Sequence, residues 1–223
     1  LQWVLKDGYR ATRRERLGAE AIFTDIFRNN DWAGAASVSG QGSDLEQTRV
    51  VAQVLPELFR ELSVRRFLDL PCGDFHWMSR VDLSGVEYLG GDIVRDLVRL
   101  NARHERENVR FQHLDLLGGN LPEMDLILCR DCLVHFSDED VFRALRNLAR
   151  SGSRYLLTTT FPERPVNPPI RTGKWRPLIL QAVPFALPPP ERLINEQCTE
   201  GAGAFADKSL GLWRLETIAA AFR

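Results

Sequence analysis

Acidic residues recur at the ends of short apolar runs in this chain. Asp69 lies in Phe67-Leu68-Asp69-Leu70, Asp92 follows the run 86–89 and Gly90-Gly91, Asp115 follows 109–114, and Asp131 follows 124–129 and Arg130. The first run is ended by Pro71-Cys72-Gly73-Asp74, in which Gly73, lacking a β-carbon, lets the main chain approach a ligand closely. A carboxylate placed like that of Asp92 can accept charge-assisted hydrogen bonds from two neighbouring hydroxyls of a ligand. His135 lies a few residues beyond the fourth run. Its ordinary pKa near 6.5 suits it to take a proton, and a positioned base contributes about 10²- to 10⁴-fold in rate. His76 is a second candidate base, and His104 and His113 read as structural or exposed.

Elements must carry these residues to one place. The runs at 66–70, 86–89, 109–114, 124–129 and 154–160 read as strands that finish on polar or turn residues. Helical patterning separates them: a short piece at 75–81, then 96–107, then 137–150, where Ser137 and Asp140 form a capping arrangement. Such alternation predicts a doubly wound α/β fold with a mostly parallel sheet, and ligands of such sheets sit beyond the carboxyl ends of the strands. Ahead of the first strand, residues 11–27 have the apolar spacing of an amphipathic helix (Leu17, Ile22, Phe23, Ile26, Phe27). A Gly- and Ser-containing stretch at 34–43 follows, and then a second helix to about Leu62, capped by Asp44 and kinked or begun by Pro56. After Phe161 the pattern gives way to a Pro-rich segment ending at Pro190, and 210–215 reads as a last strand.

Composition narrows the field. With 223 residues, 44% of them hydrophobic, the chain is expected to form one domain: N-terminal helices and lid loop at 1–62, a core at 63–161, a cap at 162–208 and a last strand and tail at 209–223. Its 29 basic and 30 acidic side chains carry no basic surplus, so nucleic acid is disfavoured as a partner. The apolar stretch 178–187 is broken by Pro184, and no run reaches the ~18 apolar residues of a membrane span. The four cysteines show no paired zinc spacing; Cys129 and Cys132 make a lone C-x-x-C, read as core, and the cytoplasm is the expected location.

The run Phe67-Leu68-Asp69-Leu70-Pro71-Cys72-Gly73-Asp74 resembles the first motif of class I S-adenosylmethionine-dependent methyltransferases, and Asp125 to Phe136 resembles the fourth-strand segment of that family. Trp32 with residues 37–47, and Lys208-Ser209-Leu210-Gly211-Leu212-Trp213, resemble an uncharacterised bacterial branch of it. The resemblance implies a Rossmann-like fold with a seven-stranded sheet and S-adenosylmethionine as cofactor. It puts Gly73 against the ribose and amino-acid part, Asp92 on the ribose hydroxyls, Asp115 at the adenine amino group with Ile93 and Leu116 flanking the ring, and Asp69 at the loop or the ammonium. Trp32, Gly40, Pro71, Cys72 and Arg130 complete the expected cofactor set. Many members have glycine where this chain has Pro71 and Phe75. Those two residues also argue against a dinucleotide, since Pro71 offers no N–H to a pyrophosphate and Phe75 replaces the glycine that lets the helix pack closely.

For catalysis the expected residues are His135 as base and Asp131 beside it. No metal is expected, because Thr158-Thr159-Thr160 provides no ligand beyond the fifth strand. Asn167-Pro168-Pro169-Ile170 resembles the Asn-Pro-Pro-aromatic signature of base-methylating enzymes, but it lies after the wrong strand and lacks the aromatic residue. The expected acceptor is a small molecule with a hydroxyl, a sugar or hydroxylated metabolite, contacted by Thr160, Asn167, Arg171 and Trp175, with Arg176 nearby. A nitrogen acceptor, or a cofactor-binding regulatory protein without turnover, are the alternatives.

Overall fold

The computed structural model describes residues 17–222. Seven strands form one sheet in the order β3-β2-β1-β4-β5-β7-β6, with β1 at Arg66–Asp69, β2 at Glu87–Asp92, β3 at Val109–His113, β4 at Leu126–Cys129, β5 at Tyr155–Thr160, β6 at Arg192–Asn195 and β7 at Ser209–Arg214. The first five strands are mutually parallel, while β7 runs antiparallel to both β5 and β6. The sheet is thus seven-stranded and mostly parallel, the arrangement expected from the sequence. Strands β4 and β5 are buried along their whole length, as near-continuous apolar runs must be when both faces of a sheet are covered.

Alternating side chains divide the core into two faces. Phe67, Leu126, Leu128 and Leu157 point to one, which α2 (Arg49–Glu61) covers with Val51, Leu55, Leu58 and Phe59. Leu68, Ile127 and Leu156 point to the other, covered by α4 (Asp138–Arg150) through Val141, Ala144, Leu145 and Leu148, a helical stripe of period three and four. The remaining helices are α1 (Ala19–Asn29), α3 (Arg95–Asn101) and α5 (Leu215–Ala221). Helix α4 starts as its sequence predicts, with the Ser137 hydroxyl accepting a hydrogen bond from Asp140 N–H.

Several boundaries differ from expectation. Residues 11–16 of the predicted first helix lie outside the described residues. Helix α2 begins at Arg49 and not beside Asp44, and it continues through Pro56. The piece at 75–81 is reduced to one 3-10 turn at Met78–Arg80, because Phe75 has φ +58°, a left-handed conformation that no α-helix continues through. Strand β6 has no counterpart in the sequence reading. Its residues are mostly exposed and it pairs on one side only, so its strand character comes from β7.

The Pro-rich segment folds back across the carboxyl ends of the strands. Gly173 N–H donates to His135 carbonyl (2.8 Å) and Arg176 N–H to Val134 carbonyl (3.0 Å), which fixes the segment on the turn after β4. No helix among the described residues is long and apolar enough to cross a membrane.

Candidate functional site

The order in which strands are added to the sheet reverses between β1 and β4, which themselves run parallel, and a crevice opens there beyond the carboxyl ends of the strands. It holds a cavity of about 460 Å³, within the ~300–1,000 Å³ of small-molecule sites. Three carboxylates from adjacent strands line one half. Asp92, 3% exposed, accepts hydrogen bonds from Gly73 N–H (3.1 Å) on one oxygen and Val94 N–H (2.8 Å) on the other. Burial still outweighs those bonds and pushes its pKa up to about 6. Asp69 accepts from the Tyr88 hydroxyl (3.0 Å), and burial raises it to about 8, with the negative charge of Asp92 adding to the effect. Asp115 binds Leu117 N–H through one oxygen (2.8 Å).

The loop between β1 and the next helical turn uses its N–H groups internally. Cys72 N–H donates to Gly91 carbonyl, Gly73 to Asp92, Asp74 to Ser39 Oγ (3.3 Å) and Phe75 to Cys72 carbonyl. Phe75 occupies a backbone conformation that glycine adopts freely, and its ring fills the space between Tyr88, His104 and Phe111 at 5.1–5.4 Å centroid distances.

Residues 37–43 lie over this loop and are fastened to it. The Asp74 carboxylate accepts from Ser37 Oγ (2.9 Å) and Val38 N–H (3.0 Å), while a β-carbon on Gly73 would collide with Ser39 Oγ. Further along the same loop, a β-carbon on Gly42 would sit 3.0 Å from Asp131 Oδ2 and 3.5 Å from Lys208 Nζ. One short segment therefore touches both halves of the cavity.

The second half is charged and self-paired. Lys208 Nζ, on a 4%-exposed residue, lies 2.6 Å from Asp131 Oδ2 and 3.9 Å from Glu200. Arg130 Nε donates to Glu196 (2.8 Å), its guanidinium also forms an ion pair with Glu196 at 2.7 Å and reaches Asp131 at 3.2 Å, and Trp77 lies under it. Burial alone would raise the Asp131 carboxyl, yet Lys208 and Arg130 hold it at about 2. Asp131 has φ +50°, and its N–H is held by Thr159 Oγ1 (2.8 Å), so the side chain is aimed by a strained backbone.

His135 stands beside this cluster. Its Nδ1 is 3.0 Å from the Lys174 carbonyl, which can only accept, so the proton is on Nδ1 and the lone pair on Nε2. Burial lowers its pKa and keeps it neutral near pH 7. Its ring lies 5.0 Å from Trp32. Facing the same cavity, Trp175 packs edge-on against Phe205 (4.9 Å) and Phe161 (6.1 Å). Among the described residues no group of three His, Cys, Asp or Glu side chains is placed to hold a metal ion.

Fourteen of the residues singled out from sequence line this one cavity: Trp32, Gly40, Asp69, Pro71, Cys72, Gly73, Asp92, Ile93, Asp115, Leu116, Arg130, Asp131, His135 and Trp175. Three others do not. Thr160 is buried and bonded to Gln181 and Leu180, and Asn167 clamps Ile179 and Val183 within the Pro-rich segment. Arg171 is exposed outside the cavity lining. Arg176 is buried as a brace, donating to Pro168 and Phe136 carbonyls and pairing with Asp138. Thr160, Asn167 and Arg176, expected at the acceptor, instead brace the Pro-rich segment. The sequence reading overlooked Glu196, Glu200, Phe205 and the roles of Asp74 and Lys208, whose partners lie far away in the chain.

No protein-family model matches the chain, and no curated protein matches it. Solved structures do. An O-methyltransferase family protein from Burkholderia thailandensis aligns at 18% identity with a TM-score of 0.53, covering 75% of this chain and 55% of that one. Human N-acetylserotonin methyltransferase in complex with SAM aligns at 19% identity and a TM-score of 0.48, covering 65% and 42%. Magnesium protoporphyrin IX methyltransferase from Synechocystis PCC 6803 with bound SAM aligns at 19% and 0.48, covering 66% and 78%. The chain spans about half the length of the first two. Its fold is the Rossmann-like methyltransferase fold.

Proposed function

We propose that the chain is a class I S-adenosylmethionine-dependent methyltransferase, acting as one domain in the cytoplasm and methylating a hydroxyl of a small molecule. The observation that carries this reading is the three carboxylates, Asp69, Asp92 and Asp115, at the ends of three adjacent strands around the Gly73 turn in one cavity. Asp92 spends one hydrogen bond per oxygen on main-chain N–H groups and keeps acceptor capacity for two ribose hydroxyls. Asp69 is placed for the ammonium, Asp115 for the adenine amino group, and Ile93 and Leu116 for the ring. Trp32 and Gly40 close the site from the loop side. A dinucleotide is the poorer fit, since Pro71 has no N–H and residues 72–75 have theirs committed, leaving nothing to cradle a pyrophosphate. The four cysteines are unpaired and buried, in keeping with a reducing compartment.

When bound, the cofactor supplies a methyl carbon on a sulfonium, already activated toward displacement. The protein's task is to align the acceptor oxygen and take its proton. His135 Nε2, the free lone pair of a neutral ring, receives that proton, and Asp131 and Lys208 set the charge around it. The displacement of Thr160, Asn167 and Arg171 from the cavity removes support for a sugar, whose several hydroxyls each need a partner once desolvated.

Calorimetric titration with S-adenosylmethionine and S-adenosylhomocysteine tests the premise, with binding of both expected. Absence of affinity for either would overturn it. In the binding-competent protein, His135→Ala is expected to keep cofactor affinity and lose about 10²- to 10⁴-fold in turnover; unchanged turnover would remove His135 as base.

A further inference from the structure

Resting on the reading above, we infer that the acceptor is a neutral planar aromatic alcohol, seated against Trp175 and Phe205 with its hydroxyl at the Lys208–Asp131 pair and His135. Two independent observations lead there.

The first is the shape and chemistry of the wall. Phe161, Trp175 and Phe205 come from three separate segments, the end of β5, the Pro-rich cap and the loop before β7, and meet edge-to-face within 6.2 Å of one another. Trp175 is 43% exposed. A broad aromatic surface held at a cavity wall suits a flat apolar ligand, and Trp32 and His135 line the same cavity. The charged side chains at this end, Arg130, Asp131, Lys208 and Glu200, are paired with one another in a single cluster beside His135, with Gln41 and Ser43 lining the cavity from the loop, so the ionic groups converge on one point of the wall.

The second is the match between base and acid. A neutral imidazole whose basicity burial has reduced is a poor base for an aliphatic hydroxyl, which holds its proton nearly as tightly as water at about 15.7. A phenolic hydroxyl, with a pKa of about 10, is within its reach. Lys208 lines the cavity with an ammonium that Asp131 orients, and it stabilises the negative oxygen left behind. In the complete step the acceptor O–H proton passes to His135 Nε2 and an O–CH3 bond forms as the S–CH3 bond of the sulfonium breaks. The sulfur leaves as a neutral thioether, and His135 returns its proton to water. A neutral acceptor suits this end, because Lys208 is already paired with Asp131 and Glu200 and no charge is left over for a charged one.

The test uses protein saturated with S-adenosylhomocysteine. Titration with 2-naphthol and catechol is expected to give binding, and glucose and myo-inositol are expected to give none. With S-adenosylmethionine the two phenols should yield O-methyl products. Trp175→Ala and Phe205→Leu should each raise KM for 2-naphthol about three- to tenfold, with S-adenosylhomocysteine affinity unchanged, and Trp175→Phe should recover most of the loss. Cofactor-saturated protein that binds or methylates the polyols and ignores the phenols would overturn the inference. So would phenols that neither bind nor react, or a Trp175→Ala protein with unaltered KM. Failure to bind S-adenosylhomocysteine at all would instead strike the methyltransferase reading.

Discussion

The two halves of the cavity handle charge in opposite ways. Where β1 and β2 end, the carboxylates are buried with main-chain and hydroxyl donors but no bonded cation, and Asp92 and Asp69 rise to about 6 and about 8. Beyond β4, half-buried Asp131 lies next to Lys208 and Arg130 and falls to about 2. The first half is electrostatically incomplete until hydroxyls and a positive group arrive; the second is satisfied beforehand. A binding site can therefore store unmet demand on the side that must recognise a ligand and spend it on the side that must hold its shape during chemistry.

The largest effect that would break this contrast is on the self-paired side. Glu196→Ala leaves the Arg130 guanidinium buried with only part of its pairing, and about 3–5 kcal/mol of stability should be lost, read from the urea midpoint at constant slope. A loss under about 1 kcal/mol would mean that the pair does not brace this half.

Next comes Asp69. In the fold its pKa is raised to about 8, against 3.8 ordinarily, so between those values the native state holds a proton that the unfolded chain has released. Its contribution is fully present below about pH 4 and is lost as pH rises through about 8. Asp69→Asn should flatten that slope and stabilise the cofactor-free protein at pH 9 by about 3 kcal/mol, measured by thermal melts across pH. An unchanged slope would show that Asp69 is not desolvated.

On the same side, Asp92→Ala should weaken cofactor binding by about 1–3 kcal/mol. Because hydroxyl donors favour the ionised carboxylate, wild-type affinity should hold above pH 7 and fall as pH drops through about 6, a dependence that Asp92→Asn abolishes. Calorimetry over this range checks both.

The smallest change is expected for the clasp. Asp74→Ala should cost about 1 kcal/mol in cofactor affinity, expressed as faster dissociation in stopped flow.

How far each half could be read from sequence follows the same division. Gly73 and Asp92 are 19 positions apart, within one unit of two adjacent strands joined through a single 3-10 turn, and each announces itself by ending an apolar run. Asp131 and Lys208 are 77 apart, and Arg130 and Glu196 are 66 apart, so neither pairing leaves a local trace. Thr160 and Asn167 have the chemistry of ligand contacts, and only the folded path of the Pro-rich segment turns them inward as struts. The central strands were legible because they are buried on both faces, and β6 was not because its only partner is β7.

The fastening of residues 37–43 by Asp74 has a bearing on the order of events. Ser37 and Val38 grip the cofactor turn, and Gly42 rests on the Asp131 and Lys208 pair, so lifting this strap uncovers both compartments together. If the proposed methyl transfer holds, one opening motion would serve the spent nucleoside and the methylated product alike. Under the proposed activity, weakening those few hydrogen bonds would speed release from both compartments at once.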